Sequence, residues 1–257
     1  MNDYLILAII FASSVLSGLL AFSIGKGKER NFKHLLSFSG AFLMGIAFLV
    51  IIPEIYESEN TEFIGLWVLA GFLLQLLLDI ITRGIEHGHL AGHEDHPHDH
   101  SHEETHEKPK STFYITIFIG LCLHAFLEGM PFISSVDTAL QTSLMAGIVI
   151  HNIPIAIVLV SFFLHSGVSK KNTILLLAFF SIMTPVGGLC SNFFSDFFSV
   201  NIQTYTNTIM AFVVGIFLHV STSILFEACE NHKYNLVRFA TVIFGVAVAF
   251  AVSTLSH

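Results

Sequence analysis

An all-α integral membrane protein with eight transmembrane helices is the fold class that three observations predict. Of the 257 residues, 53% are hydrophobic and only 12% charged, and the mean hydropathy is +0.74. A soluble domain carries about 25% charged residues. The apolar residues fall into eight runs, each near the roughly 20 residues needed to cross the hydrocarbon of a bilayer. Finally, all 11 Lys and Arg lie in connections that such a topology places on one side. Basic residues this sparse exclude a nucleic-acid partner and leave the lipid bilayer as the expected surroundings.

The runs predict spans at 4–24, 32–52, 62–82, 112–133, 138–164, 172–194, 205–227 and 236–255. Lys26, Lys28 and Arg30 fall between the first two, with Lys33 at the start of the second, and Arg83, Lys108 and Lys110 between the third and fourth. Lys170 and Lys171 follow the fifth, and Lys233 and Arg238 lie at the last turn, where the eighth begins. An excess of Lys and Arg marks the cytoplasmic side, so both termini are expected to be extracytoplasmic. The expected location is the plasma (inner) membrane, as a multi-pass protein. The first residues, Met1-Asn2-Asp3-Tyr4, lack the basic region of a signal peptide, so the first run is expected to be retained. Cys122, Cys190 and Cys229 form an odd set in or beside apolar runs, which argues against a disulfide framework.

Taken in order, the first span has Ser13, Ser14, Ser17 and Gly18, small enough for close helix packing. The second runs from Gly40 to Pro53-Glu54, where Glu54, Glu57, Glu59 and Glu62 cluster without a basic neighbour. That cluster is either a solvated acidic loop or an entrance whose negative field concentrates cations. The third span holds Gln75 and Asp79, the latter close enough to the cytoplasmic end to be hydrated. A hydrophilic segment at about 84–111 follows, with eight of the 15 histidines, among them His89, His93, His96, His98, His100 and His102. Seven acids are interleaved. This segment cannot build a core and is expected to be a disordered cytoplasmic loop that binds metal weakly, by composition. The rest of 1–257 is expected to form a single transmembrane domain.

The fourth and fifth spans carry the chemistry. His124 and Glu128, in His-Ala-Phe-Leu-Glu-Gly, are four apart and stack on one helical face. His151-Asn152-Ile153-Pro154 lies in the fifth span. By the rise of a helix, His124 and His151 each lie about 18–20 Å along antiparallel spans, near mid-membrane. An ionisable residue at that depth is expensive and marks a functional site. Imidazole, carboxylate and amide form a donor set suited to a divalent cation such as Zn²⁺. The sixth span has Thr184-Pro185-Val186-Gly187-Gly188, expected to break the helix and free backbone carbonyls. The seventh brings His219 near mid-depth, as a relay or a helix-packing residue, and Glu227 at the cytoplasmic exit. The eighth has no ionisable residue within its apolar core and reads as scaffold.

In layout and motif the chain resembles the ZIP (Zrt/Irt-like) family of divalent metal transporters. The resemblance rests on eight spans, a His-rich loop after the third, His124-x-x-x-Glu128-Gly129 and His151-Asn152-x-Pro154. Weaker support comes from Gly40…Pro53-Glu54 and Gly215-Ile-Phe-Leu-His219…Glu227. It implies a metal path between the fourth and fifth spans and rocking of one helix bundle against another. It also implies spans one to three and six to eight as an inverted pair. Zn²⁺ is the ion it points to, with Fe²⁺, Mn²⁺ and Cd²⁺ as other candidates, and a homodimer is compatible with it. Two positions depart from the family. Ala125 stands where many relatives have Asn or Ser, and Ile155 where two-metal relatives have Glu. One ion held by His124, Glu128, His151 and Asn152 is therefore expected, not a bridged pair. The rival class is an intramembrane hydrolase holding Zn²⁺ with His124, His151 and His219.

Overall fold

The computed structural model describes residues 3–23, 29–57, 63–82, 111–132, 137–197, 201–227 and 236–256. Among the described residues there are helices and no strand. They are α1 (Asp3–Ala21), α2 (Glu29–Ile46), α3 (Ile52–Tyr56), α4 (Ile64–Thr82), α5 (Ser111–Gly129), α6 (Thr138–His165), α7 (Lys170–Phe197), α8 (Ile202–Glu227) and α9 (Leu236–Ser256). One π-helical segment, Ala47–Ile51, joins α2 to α3, so these three form a single span. Seven spans are long and apolar enough to cross a membrane, and α5 contributes the shorter apolar stretch Tyr114–Gly129. The protein is an all-α, multi-pass membrane bundle.

Local chemistry sets the helix ends. The Ala139 N–H donates to Asp137 Oδ2 (2.8 Å) and starts α6; the Gln203 N–H donates to Asn201 Oδ1 (2.9 Å) and starts α8. Gly167, with φ +79°, makes the tight reversal from α6 to α7. The π segment lies just ahead of Pro53, whose missing N–H leaves the helical ladder one donor short and favours a shifted register. The expected break at Pro185 does not occur. Helix α7 runs unbroken from Lys170 to Phe197, and its glycines serve packing instead. A Cβ on Gly187 would meet the Phe126 carbonyl of α5, and one on Gly129 would meet the Thr184 carbonyl of α7. Gly71 and Gly215 bring α4 and α8 together in the same reciprocal way, through the Phe212 and Val68 carbonyls. In α1, the Ser13 and Ser17 hydroxyls donate to carbonyls of their own helix, and Gly18 receives Leu177 of α7.

Packing divides the spans into two groups. Helices α1, α5, α6 and α7 are joined chiefly by the pairs α1–α6, α5–α7 and α1–α7. Helices α2, α4, α8 and α9 are joined chiefly by α4–α8, α2–α9 and α2–α8. Number the spans one to eight, then exchange one with six, two with seven, three with eight and four with five. The α4–α8 pair becomes α9–α2, and α1–α6 becomes α7–α5. The principal pairings within the two groups thus map onto themselves, as an inverted repeat requires. The contacts between the groups do not: α2 packs extensively on α6, whereas its counterpart, α8 on α5, is slight.

That asymmetry has a structural correlate. Toward the end of the bundle carrying Glu54, Phe42, Leu43 and Ile46 of α2 close on Leu140, Leu144 and Ile148 of α6 and on Val214 and Phe217 of α8. Toward the opposite end, which carries Lys33 and Lys170, a small apolar cleft lies between the groups. Leu36, Ile117, Leu121, Ile155, Leu159 and Phe162 line it. Among the described residues Cys122 and Cys190 are unpaired thiols, and Cys229 lies outside them.

Candidate metal centre

Helix α5 is held against α7 by the Gly129–Gly187 crossing, and this turns the face bearing His124 and Glu128 toward the interior. Helix α6, packed mainly on α1, presents His151 from the other side. The two site helices therefore meet through side chains rather than along a tightly shared backbone face. His124 Nε2 lies 3.0 Å from Glu128 Oε1, and His151 Nε2 lies 3.8 Å from the same oxygen. The two imidazoles are 6.0 Å apart and nearly perpendicular, at 79°. All three side chains are buried, and one ligand atom from each falls within 4.8 Å of the others. They form the one group of three metal-ligating side chains among the described residues.

These distances suit a single small cation. With metal–donor bonds near 2.0–2.1 Å, the donors of a tetrahedral zinc site stand about 3.3 Å apart. The observed 3.0 and 3.8 Å bracket that value, and the donors of the two imidazoles lie within 4.8 Å of each other. Asn152, also buried, has an amide oxygen and nitrogen that form no hydrogen bond with the described residues. Burying such a group unsatisfied costs about 1–3 kcal/mol, which a metal or its bound water would relieve. Ala125 and Ile155, by contrast, sit in an apolar cluster and offer no donor.

The other sequence candidates lie elsewhere. His219 is buried between α8 and α4, its ring 5.0 Å from Phe72 in an edge contact at 75°, and it does not join the donor group. The glycine crossing of α4 and α8 explains this, because it turns that face of α8 into a packing surface. The three-histidine set of the hydrolase reading is thus not assembled. Glu54 is exposed in the first turn of α3. Glu227 ends α8, and its side chain lies outside the described residues, as do His89, His93, His96, His98, His100 and His102. Sequence reasoning gave no role to Gln75 of α4, which is fully buried with Oε1 3.1 Å from His124 Nδ1. An amide in the middle of an apolar span was the available signal.

The chain is 27% identical over 175 residues to zinc transporter ZIP9 of Xenopus tropicalis, covering 65% of this chain and 52% of that protein. It has the same identity and coverage to zinc transporter ZIP9-A of Xenopus laevis. To zinc transporter ZIP9 of Micropogonias undulatus it is 28% identical over 168 residues, covering 62% of this chain and 49% of that one. The aligned region spans about half the length of these curated relatives. Residues 3–253 match the family described as ZIP Zinc transporter, so the chain belongs to the ZIP zinc transporter family.

Proposed function

We propose that this protein carries a divalent cation, Zn²⁺ foremost, across the membrane into the cytoplasm, through a site built by His124, Glu128 and His151 with Asn152 beside them. The observation that carries this reading is the buried group of two imidazoles and a carboxylate gathered within 4.8 Å. An anionic carboxylate in a membrane interior is costly alone and is compensated by a dication. The names of the ZIP9 relatives point to zinc; Fe²⁺, Mn²⁺ and Cd²⁺ are alternatives that competition would rank.

The two helix groups supply the means of movement. One carries all four proposed ligands; the α2–α6 contact closes one approach to them, and on the other side lies only the small apolar cleft lined by Leu121 and Ile155. With the Lys-bearing end cytoplasmic, that cleft is the release route. Rocking of one group against the other would exchange sealed and open ends. Glu54 would gather ions at the entrance, while Glu227 and the loop histidines would receive them at the exit. His219 would act as scaffold at the α4–α8 crossing or as a relay.

Metal loading of sealed vesicles containing the protein and a zinc-sensitive dye tests this. His124→Ala, Glu128→Ala and His151→Ala should each reduce uptake to background with membrane abundance unchanged. Asn152→Ala should reduce it less, because a neutral amide holds a dication more weakly. Uptake retained by His124→Ala would sink the proposal.

A further inference from the structure

The hydrogen bond that reaches the site from the other helix group has a chemical consequence. Gln75 Oε1 lies 3.1 Å from His124 Nδ1, and both side chains are buried. An amide carbonyl oxygen only accepts, so Nδ1 must be the nitrogen that carries the proton. The neutral ring then presents the lone pair of Nε2, and Nε2 faces Glu128 Oε1 at 3.0 Å. Two acceptors at that separation repel unless a cation or a shared proton lies between them. Without an acceptor at Nδ1, the favoured neutral tautomer would instead place the proton on Nε2 and donate it to Glu128. Such a ring offers no lone pair to an ion there, and binding would first require the proton to move.

We infer that Gln75 is a positioning residue for metal binding: it holds His124 as the Nδ1–H tautomer, so that Nε2 is the ligand atom. The inference rests on the proposed metal site and names a determinant of its affinity that lies on the opposite helix group. Partners of this kind on metal-ligating histidines typically change affinity by about 10–100-fold. Gln75→Met keeps the length and approximate volume of the side chain while removing the acceptor. It therefore separates the hydrogen bond from packing.

The test has two readouts on the full chain. Zinc affinity is measured by competition with a chelator, and binding left in His124→Ala defines what the rest of the chain contributes. The nitrogen-15 resonances of histidine in the zinc-free protein report the tautomer, with the His124 signal assigned by its loss in His124→Ala. The wild type should show His124 protonated at Nδ1. Gln75→Met should shift that signal toward the Nε2–H form and weaken site zinc by about 10–100-fold. Wild-type affinity in Gln75→Met overturns the inference, and so does weakened binding with an unshifted signal, which would mean a packing role alone. An Nε2–H ring in the wild type overturns it as well, and that spectrum decides the matter even if Gln75→Met fails to accumulate. Wild-type protein with no zinc beyond the His124→Ala level would instead remove the metal site itself.

Discussion

At the scale of single residues, charge and its compensation determine what each position does. Glu128 sits fully buried between two imidazoles, whereas Glu54 is exposed to whatever solution bathes its end of the bundle. The two carboxylates should behave differently when neutralised. As a proposed ligand Glu128 would act at short range, where screening is weak; Glu54, at the proposed entrance, would act through a surface field that fades with salt. Glu54→Gln should therefore raise the apparent KM for metal at low ionic strength and leave the maximal rate unchanged. Uptake measured against metal concentration at two salt levels checks this, and a normal KM at low salt would remove Glu54 from the path. The His124–Glu128 pair was legible in the sequence because four residues make one helical turn. Gln75 was not, because its place in the chain does not reveal which neighbour its face will meet.

At the scale of elements, glycine contacts hold the site helices in register. Gly129 and Gly187 each face a carbonyl of the opposing helix, which is backbone and cannot rotate away. Gly187→Ala should push α7 from α5, moving His124 and Glu128 relative to His151. Overpacking of this kind costs about 1–3 kcal/mol. The expected result is a lower midpoint of thermal unfolding in detergent together with weakened zinc binding; an unchanged midpoint would show that the helices yield without cost. The sequence Thr184-Pro185-Val186-Gly187-Gly188 reads locally as a helix break, since proline and glycine are both poor helix formers. Only the approach of α5 reveals the glycines as a packing surface. A lipid-facing or packed segment must keep its hydrogen bonds internal, and this sustains the helix through Pro185.

For the whole molecule, the expected metal content follows from the one donor group among the described residues. A variant lacking residues 88–107 should bind close to one equivalent of zinc tightly, because Ala125 and Ile155 lie in apolar packing where a second ion would need ligands. Two equivalents by elemental analysis would contradict this. Zinc held by the deleted segment should be weak and pH-dependent. Its histidines would bind metal in the neutral form, so acidification through an ordinary pKa of about 6.5 should release that zinc, and transport should persist when the segment is deleted. Loss of all transport on deletion would place the segment in the path. The sequence by itself determined the eight spans, because the hydrocarbon thickness imposes their length on any chain that crosses it. It also singled out His124, Glu128, His151 and Asn152 as candidates, since polar residues within apolar runs stand out against their surroundings. The tertiary structure alone decided that the spans divide into two groups, that His219 packs against Phe72 away from the donors, and that Gln75 reaches His124. Hydropathy records how apolar each segment is, but its partner is chosen by the shapes of surfaces far apart in the chain.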